Sequence, residues 1–178
     1  MRPRHLIIGI FALALAAGAA FAWLTPSGPG RAPELALTTL QGEQLQIAEL
    51  RGRPVLINFW SVSCTVCIDD IAKLSALHRE LAGHGLEIIA IAMPYDPPSY
   101  VIAVSRGKQI PYPVALDIRG EAARAFGDVR LTPTTFLVAP DGRVLETHTG
   151  ALDLNHIRTL VLSLLQGESK PDPQPAGG

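Results

Sequence analysis

Residues 54–67 read PVLINFWSVSCTVC, and they carry the main sequence signals for the fold. Its first half is an apolar run rich in β-branched and aromatic residues, which is typical of a strand buried on both faces. Its end carries the only two cysteines of the chain, Cys64 and Cys67, at C-x-x-C spacing. Apolar residues then recur at helical spacing as far as Leu81, so the cysteine pair is predicted to lie where a strand passes into a helix.

That position favours redox chemistry at the two thiols. A thiol at a helix N-terminus faces free N–H groups and the positive end of the helix dipole, which together stabilise its thiolate. Cys64 is therefore predicted to be the nucleophile. Cys67, one helical turn further along, is predicted to be the resolving thiol that attacks a mixed disulfide and releases the product.

Other uses of a cysteine pair have less support. A purely structural disulfide that closes so short a loop would add little stability. A structural zinc site needs four ligands, but the five histidines are scattered and no second C-x-x-C is present. A thiol-based carrier of a soft metal ion stays open as an alternative, although no methionine-rich or histidine-rich stretch supports it. We expect no resident metal and no cofactor.

The elements around the motif alternate between strands and helices. The predicted strands are 35–38, 44–47, 54–60, 86–93, 112–116, 134–139 and 144–149, and the predicted helices are 64–81, 97–107, 120–126 and 154–165. Turn signals at 41–43 and 141–142 join two pairs of strands into hairpins. This order predicts an α/β domain with a mixed central sheet, helices on both faces and an N-terminal β-hairpin extension.

The start of the chain is predicted to meet a membrane. Leu6–Leu24 contains no charged residue, and at ~1.5 Å per residue it spans about the thickness of a bilayer's hydrocarbon core. Arg2 and Arg4 precede it, which by the positive-inside rule exports everything that follows. Residues 1–24 are therefore predicted to be a membrane anchor. The A-x-A pattern at 20–22 supports the alternative, a cleaved signal segment that leaves a soluble protein.

Three further boundaries complete the predicted organisation. Residues 25–33 are rich in Pro and Gly and are predicted to be a flexible linker, 34–166 the folded domain, and 167–178 a disordered tail. The net charge is −1 and no basic block stands out, so we expect no nucleic-acid partner.

Two motifs together resemble a known family. Residues 59–67, FWSVSCTVC, resemble the active site of the TlpA/ResA group of thioredoxin-like proteins, and residues 131–136, LTPTTF, resemble the cis-proline loop of that group. The resemblance covers residues 33–166. It implies a thioredoxin-like fold, a membrane tether and thiol–disulfide exchange outside the cytoplasm, often in cytochrome c maturation. It also implies protein thiol or disulfide substrates and a membrane-embedded dithiol as electron donor.

The resemblance also implies roles for individual residues. Pro133 matches the cis-proline, and Trp60, Thr132 and Pro133 are expected to contact substrate. Asp70 stands three residues after the second cysteine, where the family carries a glutamate, and is expected to exchange a proton with the resolving thiol. The alternative for Asp70 is a carboxylate that the N-terminal half of a helix favours for its charge alone. Asn58 falls where cytoplasmic thioredoxins keep a buried aspartate.

The predicted function is therefore a thiol–disulfide oxidoreductase, located in the bacterial periplasm or on another extracytoplasmic face. A reductase is preferred over an oxidase or isomerase with the same site, because Thr65 and Val66 carry no positive charge to stabilise a thiolate further. A peroxidase is disfavoured, since the proline and threonine that activate a peroxidatic cysteine do not precede Cys64. Ser63 and Val66 depart from the family's usual tryptophan and proline, which bears on substrate choice more than on the type of reaction.

Overall fold

The computed structural model describes residues 30–167. The predicted anchor or signal segment, residues 25–29 of the predicted linker and residues 168–178 of the predicted tail lie outside the described residues. Within residues 30–167, no helix combines the length and the apolar character needed to cross a bilayer. The last part of the predicted linker is already attached to the domain. The backbone of Arg31 forms an isolated antiparallel β-bridge with that of Arg143, and the Ala32 N–H donates to the Gly142 carbonyl.

Between residues 30 and 167 the chain forms seven strands and four α-helices in the predicted order. The strands are β1 (Ala36–Thr38), β2 (Gln44–Gln46), β3 (Val55–Trp60), β4 (Glu87–Ala92), β5 (Val114–Leu116), β6 (Thr134–Val138) and β7 (Val144–Thr149). The helices are α1 (Thr65–Leu81), α2 (Pro98–Gly107), α3 (Glu121–Ala125) and α4 (Leu154–Leu165), with short 3₁₀ turns at Ile47–Leu50 and Ala82–His84. β5 begins two residues later than predicted, because Pro113 has no N–H to give to a sheet.

The central sheet has the strand order β5-β4-β3-β6-β7. β3, β4 and β5 run parallel, whereas β6 and β7 each run antiparallel to their neighbours. The middle position of β3 explains its apolar sequence, since every residue from Val55 to Trp60 is buried. β1 and β2 form a separate hairpin that reaches the edge of the sheet, where the Leu40 N–H donates to the Val114 carbonyl. The predicted mixed sheet with an N-terminal hairpin is confirmed.

Apolar cores lie on both faces of the sheet, because successive side chains of a strand point to opposite faces. On one face Leu56 and Trp60 of β3 pack with buried residues of α1 and α4. On the other face Ile57 and Phe59 pack with the hairpin and α3. Helices therefore flank the sheet on both faces, as the sequence predicts.

The ends of the strands determine where a site can form. β3 and β4 are parallel neighbours, with Trp60 opposite Ala92, so the loops that follow them leave the same edge of the sheet. β6 is antiparallel to β3, and its first residue, Thr134, lies opposite Phe59. The loop before β6 therefore arrives at the edge from which the cysteine motif departs.

Candidate active site

The two cysteines occupy different environments at the start of α1. Cys64 is the N-cap residue of the helix and forms a disulfide with Cys67, with 5.2 Å between the two Cα atoms. Cys64 is half-buried, whereas Cys67 is only 2% exposed. The backbone N–H of Cys67 donates to the Cys64 sulfur at 3.1 Å. A helix N–H that would stabilise a thiolate thus already faces Cys64, the cysteine that a partner can reach.

The loop that precedes β6 packs against the same sulfur. The Thr132–Pro133 peptide bond is cis, as the family resemblance implies. The carbonyl oxygen of Thr132 lies 3.5 Å from the Cys64 sulfur. The Pro133 carbonyl accepts the Gly150 N–H at 2.8 Å, which holds the loop against the end of β7. The structure therefore brings together Cys64, Cys67, Thr132 and Pro133, four of the residues that the sequence selected.

Trp60 does not lie where a substrate could contact it. Its side chain is 1% exposed and belongs to the same core cluster as Cys67. The reason is its place as the last residue of the central strand, with its side chain on the face that α1 covers. The expected substrate contact of Trp60 is therefore corrected to a packing role. The exposed apolar side chains beside the disulfide are instead Val66 and Leu131, which are 41% and 67% exposed.

Asp70 lies one turn after Cys67 on α1 and is only 2% exposed. Its carboxylate accepts a hydrogen bond from Lys73 Nζ at 2.6 Å and another from the Leu152 N–H at 3.1 Å. The hydrogen bond and charge of Asp70 raise the pKa of Lys73 above its ordinary value of 10.5. The exposed Asp69 next to it fits the description of a solvated helix-end charge. Asp70 instead links α1 to the loop that precedes α4.

A buried tyrosine also senses the charge of Asp70. Burial raises the pKa of the Tyr112 hydroxyl well above its ordinary value, and the negative charge of Asp70 raises it further. Tyr112 therefore stays neutral at physiological pH. Lys73 is the charged partner of Asp70.

Asn58 has a structural role within the sheet. It is buried, and its Nδ2 donates to the Thr135 hydroxyl at 2.9 Å across the β3–β6 pair. That bond satisfies a polar group that would otherwise be costly to bury. This hydrogen bond explains why a buried amide is present at Asn58, and no catalytic role is needed to explain it.

Sequence reasoning missed a polar cluster on the turn before Cys64. Asp96, in the loop between β4 and α2, accepts hydrogen bonds from the Ser61 hydroxyl at 2.8 Å and from the Val62 N–H at 2.9 Å. The Ser61 hydroxyl also lies 2.9 Å from the Ser63 hydroxyl. A signal for the cluster was present, because polar residues that follow two parallel strands meet at the carboxyl edge of a sheet.

Comparison with known proteins adds to this geometry. A family model described as the AhpC/TSA family matches residues 30–147, more than half of the chain. The chain belongs to the AhpC/TSA family. Over 122 residues it is 31% identical to the thiol-disulfide oxidoreductase ResA of Bacillus thuringiensis subsp. konkukian, which covers 67% of this chain and 68% of that protein. Over 138 residues it is 27% identical to ResA of Bacillus subtilis, covering 78% of this chain and 76% of that one.

Solved structures agree on the fold of this family member. A thiol:disulfide interchange protein of the thioredoxin family from Chlorobium tepidum TLS superposes with a TM-score of 0.70 at 24% identity, covering 79% of this chain and 99% of that one. A secreted disulfide oxidoreductase of Mycobacterium tuberculosis gives a TM-score of 0.66 at 19% identity, covering 74% and 96%. The fold is thioredoxin-like, and the ResA/TlpA-like resemblance is confirmed. With its ResA relatives and its C-x-x-C disulfide, the protein is a thiol–disulfide oxidoreductase.

Proposed function

We propose that this family member reduces disulfides of exported proteins, with Cys64 as the nucleophile and Cys67 as the resolving thiol. The asymmetry of the pair carries the proposal, because Cys64 is half-buried at the helix N-cap while Cys67 is buried beneath it. A nucleophile must be reached by a partner. A resolving thiol must instead be kept from making mixed disulfides of its own.

The exchange runs in two steps from the reduced dithiol. The Cys64 thiolate attacks one sulfur of the substrate disulfide, forms a mixed disulfide and displaces the other substrate sulfur as a thiolate. Cys67 then loses its proton and attacks the Cys64 sulfur, which releases the second substrate thiolate and forms the Cys64–Cys67 disulfide. The substrate gains two electrons and its thiolates take up two protons. We assign Asp70, one turn from Cys67, to accept the proton that Cys67 gives up.

Substrate is proposed to lie across the loop that faces Cys64. The Thr132 carbonyl, 3.5 Å from the Cys64 sulfur, offers a backbone acceptor to an extended substrate segment. Pro133 is proposed to contact the same segment. Val66, between the two cysteines, and Leu131, next to Thr132, are exposed apolar side chains. This arrangement suits an extended polypeptide with apolar residues next to its cysteine.

Features of the sequence support the proposed direction of electron flow and the proposed setting. Thr65 and Val66 add no positive charge between the cysteines, so the thiolate depends on the helix end and on nearby backbone groups. We therefore infer a potential nearer that of thioredoxin, about −270 mV, than that of a strong oxidant, about −120 mV. Arg2, Arg4 and Leu6–Leu24 support a domain tethered outside the cytoplasm, where a membrane-embedded dithiol supplies electrons and cytochrome c maturation is a candidate pathway.

One experiment tests direction and roles together. Equilibration of the purified protein with glutathione buffers should give a potential well below about −180 mV, the range of disulfide isomerases. With a disulfide-bonded substrate, Cys67→Ser should accumulate a mixed disulfide on Cys64, and Cys64→Ser, the matched control, should accumulate none. A potential above that range would replace the reductase with an oxidase or isomerase. Mixed disulfides on the Cys64→Ser protein would reverse the roles of the cysteines.

A further inference from the structure

Asp96 holds the turn that delivers Cys64 to the start of α1. It is 8% exposed, and both carboxylate oxygens are engaged, one by the Ser61 hydroxyl at 2.8 Å and the other by the Val62 N–H at 2.9 Å. The two bonds join residues that are 35 and 34 positions apart in the chain. The carboxylate therefore connects the loop after β4 to the turn after β3.

The backbone on either side of Asp96 is itself restrained. The Asp96 N–H donates to the Met93 carbonyl at 3.0 Å, and the Met93 N–H donates to the Trp60 carbonyl at 3.0 Å. Pro97 follows directly and confines Asp96 to extended backbone conformations. The carboxylate is thus a fixed acceptor, against which the turn at 61–63 is positioned.

The bonds of Asp96 continue to the nucleophile through Ser61. The Ser61 hydroxyl accepts the Ser63 N–H at 3.2 Å, and the Ser61 carbonyl accepts the Cys64 N–H at 3.2 Å. Val62, whose N–H binds Asp96 directly, precedes Cys64 by two residues, so the Cα atoms of Val62 and Cys64 lie at most about 7 Å apart. A short run of hydrogen bonds and backbone thus links the Asp96 carboxylate to Cys64, and a buried charge is screened less by salt and water than an exposed one.

The charge of Asp96 has no cationic partner within residues 30–167. Eight ion pairs join side chains of those residues, and none includes Asp96. On the neighbouring helix Asp70 is paired with Lys73, and Asp69 is exposed to solvent. Asp96 is thus a carboxylate without an ion-pair partner among residues 30–167, bound to the turn whose helix end must stabilise the Cys64 thiolate.

We propose that Asp96 is a positioning residue that fixes the 61–63 turn and, by its charge, keeps the Cys64/Cys67 pair strongly reducing. The proposal rests on the proposed reductase function. A negative charge near Cys64 opposes its thiolate, and a less stable thiolate makes the dithiol form easier to oxidise. Ser61 transmits the positional part of the effect, since its hydroxyl connects the carboxylate to Ser63.

The test compares the glutathione equilibrium of Asp96→Asn with that of the unmodified protein at pH 8.5, near the ordinary pKa of a thiol. Asparagine keeps the size of the side chain and one acceptor oxygen but removes the charge. In Asp96→Asn the reduced form should become about three- to tenfold more favoured. A tenfold change corresponds to a reduction potential about 30 mV less negative, because two electrons are transferred. Alkylation of Cys64 at pH 7 should accelerate by a similar factor, because more thiolate is present.

Asp117→Asn is the matched control. Asp117 is 6% exposed and accepts the Ala122 and Ala123 N–H groups at 3.0 and 2.8 Å, so its bonds hold α3 and not the turn. The glutathione equilibrium of Asp117→Asn should stay within twofold of that of the unmodified protein. The absolute potential of the unmodified protein tests the reductase function separately, because the Asp96 effect is a ratio between two proteins.

Ser61→Ala tests positioning without changing any charge. It should slow exchange with a disulfide substrate severalfold while leaving the equilibrium within twofold. A folded Asp96→Asn protein with an unchanged or more reducing equilibrium would overturn the charge effect. A Ser61→Ala protein that exchanges at the unmodified rate would overturn the positioning effect, whether or not Asp96→Asn folds.

Discussion

At the scale of single residues, Asp70 combines burial, charge and closeness to the resolving thiol. Its carboxylate binds Lys73 at 2.6 Å and the Leu152 N–H at 3.1 Å. A carboxylate whose only task was to favour a helix end would gain little from burial, because burial disfavours the charged form. The paired lysine and the backbone N–H offset that cost, and they hold the carboxylate within the same helix turn as Cys67.

Asp70→Asn should slow disulfide exchange and alter its dependence on pH near neutrality, because the amide cannot take the proton of Cys67. It should stay folded, since the amide oxygen can still accept the Leu152 N–H. Lys73→Gln is the control, in which the carboxylate is kept. Its rate and its rate–pH profile should stay near those of the unmodified protein, because the proton acceptor is still present. Stopped-flow measurements of exchange from pH 5 to 9 provide the profiles, and identical profiles for all three proteins would leave Asp70 with a structural role only.

At the scale of elements, the hairpin β1–β2 and the helix α1 serve opposite faces of the sheet. Leu37 of β1 is 4% exposed and packs in the cluster that contains Ile57 and Phe59. Cys67 packs on the other face, in the cluster that contains Leu56 and Trp60. The hairpin should therefore contribute to stability without adjusting the chemistry of the cysteines.

Leu37→Ala should lower the free energy of unfolding by about 2–5 kcal/mol, the usual cost of truncating a buried leucine. The glutathione equilibrium of Cys64 and Cys67 should stay within twofold of the unmodified protein. Leu45→Ala is the matched control, because Leu45 lies opposite Leu37 in the hairpin but is only partly buried, so its loss should be smaller. Urea titration and glutathione equilibration provide the two readouts. A shifted equilibrium in Leu37→Ala would show that the two faces are coupled.

At the scale of the whole molecule, we propose that the domain works from a membrane tether. The tether would be Leu6–Leu24, which has no charged residue and follows Arg2 and Arg4. The protein should fractionate with membranes, and protease added to spheroplasts should digest the chain from Arg31 onward. Arg2→Glu with Arg4→Glu should reduce that accessibility, because the charge bias that orients the segment is reversed. A soluble protein whose N-terminus begins near Trp23 would instead support a cleaved signal segment.

The order of the elements and the type of chemistry could be predicted from local sequence patterns. The apolar run 54–60, the C-x-x-C that follows it and the helical spacing to Leu81 are local patterns, and local patterns predict local structure. The helix N-cap position of Cys64, and so its nucleophilic character, follows from the same stretch. The cap at Asp153 is equally local. Its carboxylate accepts the N–H groups of Asn155 and His156, which are two and three residues further along the chain.

Which distant residues meet at the disulfide depends on the tertiary structure. The Thr132 carbonyl reaches Cys64 across 68 positions, and Asp96 reaches Ser61 across 35. Trp60 is expected from the sequence to contact substrate, yet the helix that packs over its face of the sheet buries it. Asp70 could have been a solvated charge until the loop before α4 placed the Leu152 N–H against it, 82 positions away. These outcomes depend on strand order and on which face each helix covers, and those are set by the packing of the whole chain, which no local pattern records.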